Sequence, residues 1–308
     1  MDILLHTGAH RTATTSLQRM LGQSGGALGR SGVAYWGPRR CRGGLFDGLY
    51  GAGPALPPRR AGRPALRIAL QVEMEAARGA GLLFVSEENM LGSMRRNLQG
   101  CALYPDAGAR VAGFAAGFAG HRVTIGLSIR CPDAYWASVL GWRMMRGGPL
   151  PRPALCDRLV TQPRRWRHVI AELAAAVPGA RVTVWTHEAM AGRPDALVAR
   201  LTGRDIALTG ARELHNATPP LAELRGYLAD IGADPALLRG AGGRFMPFDA
   251  DQRRALRGQY AEDLAWLAAG AGGLAEYLDE AGARTLRPTG QGRGRSDDGE
   301  DGRMAQSG

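Results

Sequence analysis

The chain has 308 residues, 45% apolar and 22% charged, which is enough for a sizeable core and excludes wholesale disorder. Its formal charge is +11, and all 39 basic residues are arginine, with no lysine at any position. That excludes chemistry needing a side-chain amine, such as a Schiff base, a phosphate-loop lysine or a lysine general base. The 45 glycines and the alanine-rich runs make the arginine-only charge in part a compositional habit.

The N-terminus reaches His6, His10 and Arg11 before any long apolar run forms, so no signal peptide is read there. The longest uncharged apolar stretch, residues 111–120, is far shorter than the ~20 residues of a membrane span. Cys41, Cys101, Cys131 and Cys156 are widely spaced without a CxxC pair, the pattern of reduced thiols rather than of a disulfide framework or a zinc site. A cytoplasmic protein without an integral membrane segment or a bound metal is the expectation. The positive charge raises a nucleic-acid partner, but aromatics are only 6% and the arginines lie scattered as singles and pairs. A groove for single strands interleaves the two, so a small anionic ligand is the better inference.

In chain order, residues 3–5 read as a short buried strand, followed by a small-residue loop and a helix over 14–21. Residues 37–64, rich in Pro, Gly and Arg, read as irregular surface. A helix is expected over 67–78, stopped by Gly79-Ala80-Gly81, then an apolar strand over 82–85 ending at Ser86-Glu87-Glu88-Asn89. Residues 114–120 read as the end of a helix and 123–129 as a third strand, with Pro132 and Asp133 opening the next helix. An amphipathic helix over 164–176, a strand over 181–185 and a helix over 194–201 follow, and residues 221–278 read as mostly helical. Beyond residue 288 the chain is Gly, Arg, Asp and Ser, with three Arg against four acids, which reads as a disordered tail over 289–308. Strands alternating with helices predict an α/β fold, a three-layer sandwich around a mainly parallel sheet.

The first loop, Gly8-Ala9-His10-Arg11-Thr12-Ala13-Thr14-Thr15-Ser16, carries the strongest chemical signal. Unpaired N–H groups and the helix dipole at a strand-to-helix turn favour a phosphate. Hydroxyls at Thr14, Thr15 and Ser16 and the fork of Arg11 add donors. The competing reading is an ordinary turn with Thr and Ser caps. A Walker A loop, G-x-x-x-x-G-K-[ST], fails at Ala13 and Thr14, although residues 82–88 resemble a Walker B strand.

The run Arg11-Thr12-Ala13-Thr14-Thr15 resembles the 5′-phosphosulfate loop of the sulfotransferases, which reads K-T-G-T-T, with Arg for Lys and Ala for Gly. A second signature of that family is a strand ending in Arg with a Ser eight residues on. Arg130 and Ser138 have that spacing. Softer likenesses are Val182-Thr183-Val184-Trp185-Thr186-His187-Glu188 and, in bacterial members, the helix around Tyr260 to Leu267. The family's G-x-x-G-x-W-K segment has no recognisable counterpart, residues 240–245 being nearest. The resemblance touches most of residues 1–287 and implies a sulfotransferase domain over 1–288 with a P-loop nucleotide-hydrolase-like fold.

The resemblance also implies an activity, transfer of a sulfuryl group from 3′-phosphoadenosine-5′-phosphosulfate (PAPS) to a hydroxyl or amine. The acceptor is a small molecule, glycan or lipid that the sequence does not identify. Gly8, Arg11, Thr12, Ala13, Thr14, Thr15 and Ser16 would hold the 5′ end of the donor, and Arg130 and Ser138 its 3′-phosphate. Arg11 would stand at the bridging oxygen, able to hydrogen-bond but not to give up a proton. Glu88, Glu87 and His10 are the candidates for accepting the acceptor's proton, with His6 and His187 as weaker ones. The glutamate pair reads equally as a cap on the following helix. Two alternatives stay open, a P-loop-like ATP-dependent kinase or nucleotidase and a catalytically impaired relative that only binds.

Overall fold

Apolar runs too short for helices and flanked by glycine or polar turns become the strands of one sheet: β1 (Asp2–His6), β2 (Val33–Trp36), β3 (Leu82–Ser86), β4 (Arg122–Ile129), β5 (Arg181–Thr186) and β6 (Glu276–Leu278). This computed structural model describes residues 1–50, 58–211, 213, 218–241 and 243–279. The strand order is β2-β3-β1-β4-β5-β6, and every neighbouring pair is parallel. The longer helices are α1 (Thr14–Gln23), α2 (Pro58–Ala77), α3 (Ala107–Ala115), α4 (Pro132–Met144), α5 (Pro153–Thr161), α6 (Trp166–Ala176), α7 (Pro194–Thr202), α8 (Leu221–Asp230) and α9 (Ala250–Ala268).

Both faces of a parallel sheet must be covered, and alternate residues of each strand serve opposite faces. Leu4, Phe84 and Trp185 pack on one face against Leu17, Met20 and Leu21 of α1. Ile3, Leu5, Val85 and Leu127 pack on the other against Phe114, Trp136, Val139 and Ile170. The register agrees, with Ile3 opposite Leu83 and Val123, and Leu5 opposite Val85 and Ile125. Gly126 leaves room for a large neighbour, because a Cβ there would lie 3.1 Å from the Trp185 ring. The result is a three-layer α/β sandwich.

This topology positions the site. From β1 the chain crosses to β2 and β3 on one side, whereas from β4 it crosses to β5 on the other. The order reverses between β1 and β4, and open α/β sheets bind ligands at the carboxyl ends of strands at such a switch point. The loops after these two strands carry Arg11 and Arg130.

Several elements differ from the sequence expectation. Helix α2 begins at Pro58, inside the segment read as irregular, and contains Pro64. Pro64 is the seventh residue of the helix, past the first four N–H groups that have no intrahelical acceptor, so it removes one helix hydrogen bond. Strand β2 and helix α5 were not anticipated. The C-terminal part holds two helices, a small antiparallel hairpin (Gly240–Ala241 with Arg244–Phe245) and β6, which joins the sheet beside β5. The expected tail over 289–308 lies outside the described residues. No helix among the described residues is long and apolar enough to cross a membrane.

Candidate functional site

The loop after β1 is anchored at its base to the neighbouring strand. The N–H groups of Thr7 and Ala9 donate to the carbonyls of Gly126 and Ser128, at 2.9 and 3.2 Å. Gly8 allows the turn, since φ is 22° and a Cβ would lie 2.7 Å from His6 Nε2 and 2.8 Å from Thr14 Cγ2. Arg11 and Ala13 both have φ of 66°, a left-handed conformation that costs a residue with a side chain roughly 1–3 kcal/mol. Alternating signs of φ along residues 10–13 turn N–H groups toward one concavity, the backbone geometry that binds anions. The concavity opens at the start of α1, where Ala13 in the N-cap position offers no side-chain cap.

The loop's hydroxyls do not all face a ligand. Thr12 Oγ1 donates to the Ala9 carbonyl at 2.6 Å, and Thr14 Oγ1 to the same carbonyl at 3.5 Å. Thr12, Thr14 and Ser16 are buried. Thr12 and Thr14 thus brace the turn from within.

Arg11 does not point along its own loop. Its Nε donates to Ser138 Oγ on α4 at 2.9 Å, and its Nη2 to Thr218 Oγ1 at 3.2 Å. Ser138 and Thr218 share a hydrogen bond of 2.6 Å. Arg130, leaving β4, donates from Nη1 to the Arg11 carbonyl at 2.7 Å, and its own carbonyl accepts from Trp166 Nε1 at 2.8 Å. Arg11, Arg130 and Ser138, spread over 128 positions of sequence, thus meet at the β1–β4 switch point. These contacts also hold the strained Arg11 backbone in place.

The electrostatics of this cluster are lopsided. Burial, with Arg130 and Arg146 nearby, pushes the Arg11 guanidinium down to about 10. Burial also lowers Arg130; Glu188 opposes the fall and Arg244 adds to it. Among the described residues neither Arg11 nor Arg130 forms an ion pair, and the buried Arg130 Nε has no hydrogen-bond partner. Glu188 is already engaged, accepting from the Cys131 N–H at 2.9 Å and from the Tyr260 hydroxyl at 3.0 Å. It fixes the start of α4 rather than neutralising Arg130. Beside it His187 falls to about 4, chiefly through burial and then through Arg130, and its Nδ1 is buried without a partner.

The carboxyl end of β3 is built differently. Glu87 is fully buried and accepts a forked pair from Arg42, Nε at 2.9 Å and Nη2 at 2.8 Å. It also accepts from the Asn89 N–H at 3.0 Å, so it caps the short turn Glu88–Met90 as well. Burial holds its carboxyl above the usual range despite Arg42. Glu88 accepts from Arg42 Nη2 and from Gln18 Nε2, each at 2.8 Å. Burial pushes Glu88 up, but the Gln18 amide and Arg42 outweigh it and hold the group below its ordinary value. Of the two glutamates, only Glu88 is held below its ordinary value.

His10 lies between the two regions. Its backbone N–H and its Nδ1 both meet the Tyr104 hydroxyl, at 2.7 and 2.9 Å, and its Nε2 lies 3.2 Å from Asn89 Oδ1. Tyr104 accepts from the His10 N–H and from the Tyr135 hydroxyl, which leaves its own proton for Nδ1. The ring is then the tautomer with hydrogen on Nε2, donated to Asn89. Burial lowers the His10 pKa, so at neutral pH the ring is uncharged with both nitrogens occupied. His6 is likewise a strand-end residue in a hydrogen bond, 2.8 Å from Ser86 Oγ, and burial lowers it to about 4.

Thr218, Arg42, Gln18, Tyr104, Arg146 and Arg244 belong to this site or its field and carry no sequence signal. Among the described residues no group of three or more His, Cys, Asp or Glu could hold a metal ion. Compared with known proteins, the chain matches no family model, no curated protein and no solved structure.

Proposed function

We propose that the chain is a sulfotransferase with a P-loop-like fold. It moves a sulfuryl group from PAPS to a hydroxyl or amine of a small-molecule, glycan or lipid acceptor. The observation that carries this reading is the convergence of Arg11, Arg130 and Ser138 at the β1–β4 switch point, with no carboxylate among the described residues paired to either arginine. The cluster fits a multiply charged anion such as PAPS. Part-buried cations with no counter-ion among the described residues, and a buried guanidinium N–H that lacks an acceptor, are both satisfied by phosphate oxygens.

Each residue has a distinct task under this reading. The N–H groups of residues 11–15 receive the 5′-phosphosulfate end. Arg130 and Ser138 receive the 3′-phosphate. Arg11 stays protonated at neutral pH even with its value lowered to about 10, so it supplies charge and hydrogen bonds where the resembling family has lysine. When bound, the donor supplies the sulfuryl group; the acceptor's O–H or N–H proton is released as the new S–O or S–N bond forms and the bridging S–O bond breaks. Glu88, held ionised and partly accessible, is the group to take that proton, whereas Glu87 is closed off by Arg42. His10, with both nitrogens occupied, orients Asn89 beside Glu88.

Equilibrium binding of 3′-phosphoadenosine-5′-phosphate against ATP with Mg²⁺ tests this reading. Preference for the 3′-phosphorylated nucleotide, followed by turnover with PAPS on an acceptor library, is the expected outcome. Preference for ATP with Mg²⁺ overturns it in favour of a kinase or nucleotidase. Tight binding of the 3′-phosphorylated nucleotide without turnover on any acceptor leaves a non-catalytic binding protein.

A further inference from the structure

Helix α2 buries Ile68 and Val72 against the core and leaves an apolar stripe on its opposite side. Leu66, Leu70 and Met74 are 63%, 58% and 45% exposed and recur every four residues. Arg63 and Glu73 are exposed on the same side, and Ala77 continues it. At 100° per residue these six positions fall within one sector of about 100°, the width of a helix-packing face. Isolated exposed leucines need no explanation, but a continuous stripe marks an interaction surface.

The order of residues along the stripe identifies the partner. Arg63, Leu66, Leu70 and Glu73 are spaced 3, 4 and 3, the spacing of successive a and d positions in a heptad. That series is a palindrome in charge. Run antiparallel against a copy of itself, it sets Leu66 opposite Leu70 of the second copy, and Arg63 opposite its Glu73. Both contacts then occur twice around a two-fold axis. An isologous interface requires such self-complementarity. A partner of other sequence would have no reason to match the reversed order of charges.

We propose that α2 is a homodimer interface in which two copies pack antiparallel through Leu66 and Leu70, bracketed by two Arg63–Glu73 ion pairs. The inference stands apart from the proposed activity, because these side chains point away from the core that carries the switch-point cluster. Glu73 already lies 3.8 Å from His121 Nε2 of its own chain, so the new pair extends an existing polar contact. One helix face is small by the standard of specific interfaces, which bury roughly 1,200–2,000 Å² in total. The dimer is therefore concentration-dependent rather than obligate.

Sedimentation velocity on the full chain over a wide concentration range tests the proposal, with circular dichroism to verify folding. The wild type is expected to pass from monomer to dimer, and Leu70→Glu to stay monomeric with an unchanged helical spectrum. Arg63→Glu alone and Glu73→Arg alone each place like charges in both pairs and are expected to weaken association about tenfold. The double exchange Arg63→Glu with Glu73→Arg restores opposite charges and should recover most of that loss. A wild type that is monomeric throughout overturns the proposal, as does a dimer indifferent to Leu70→Glu. Single and double charge exchanges with equal effects overturn the antiparallel register.

Discussion

Two strand ends of this sheet carry arginines in opposite electrical situations. At the mouth of β3, Arg42 is balanced by two carboxylates, Glu87 and Glu88. At the mouth of β1 and β4, Arg11 and Arg130 face hydroxyls, backbone carbonyls and further arginines. One region has its charge settled internally and so contributes to folding. The other holds charge in a partly desolvated place with no ion pair among the described residues and only partial compensation from Glu188, which disfavours the empty state and favours an incoming anion. The same residue type thus serves stability at one strand end and, under the proposed function, anion binding at the next.

The comparison can be broken by mutation, and the largest stability effect is expected at β3. Arg42→Met leaves the fully buried Glu87 carboxylate unpaired, and breaking a buried pair costs about 3–5 kcal/mol. Arg42 is close to half exposed, so about 2–3 kcal/mol is the better expectation, read from denaturant midpoints. The double variant Arg42→Met with Glu87→Gln should regain part of the loss. Arg11→Met, by contrast, should change stability by less than about 1 kcal/mol, because it relieves repulsion from Arg130 and Arg146 and leaves Ser138 and Thr218 bonded to each other. A loss at Arg11 as large as that at Arg42 would erase the distinction between the two regions.

A pH titration of stability comes next in size. His6 and His187 both fall from 6.5 to about 4 in the folded chain, mainly through burial. A lowered histidine binds fewer protons folded than unfolded, so its stabilisation is full above pH 6.5 and drains away as pH falls toward 4. The urea midpoint should therefore drop across that window. The shift at His6 corresponds to about 3 kcal/mol as an upper bound, and His6→Gln should flatten much of the slope. A midpoint that rises on acidification from pH 6.5 would contradict these buried, neutral rings. The smallest effect is at Ser138. Ser138→Ala should leave folding intact and weaken the 3′-phosphorylated nucleotide about five- to tenfold, the loss of roughly one hydrogen bond to a charged group.

How far the sequence led depended on whether a signal was local. Strands β1 and β3 were legible as apolar runs, and β4 and β5 as alternations of Val, Ile, Leu or Trp with small or polar residues, each with a turn at its end. Strand β2 and β6 were not: Val33-Ala34-Tyr35-Trp36 and Glu276-Tyr277-Leu278 are short, and their pairing with β3 and β5 is made by distant chain. The start of α2 was hidden by Pro64. In the candidate site, Arg11, Arg130 and Ser138 stand out through their resemblance to two short sulfotransferase motifs, and the structure brings the three together. Thr218 and Arg42 were not, since nothing local announces a hydroxyl reached across 207 positions or a fork that closes on a glutamate 45 residues away. The roles of Glu87 and Glu88 were indistinguishable in sequence because both follow the same strand. Their separation came from Arg42 and Gln18.

The β1–β4 mouth should bind a nucleotide through its 3′-phosphate. Isothermal titration of 3′-phosphoadenosine-5′-phosphate and of adenosine-5′-phosphate, in the wild type and in Arg130→Ala, reads it directly. The wild type should prefer the 3′-phosphorylated nucleotide by at least about 30-fold, and Arg130→Ala should collapse the preference, as expected for a lost charge-assisted contact worth about 2 kcal/mol. A wild type indifferent to the 3′-phosphate, or a preference that survives Arg130→Ala, would contradict it.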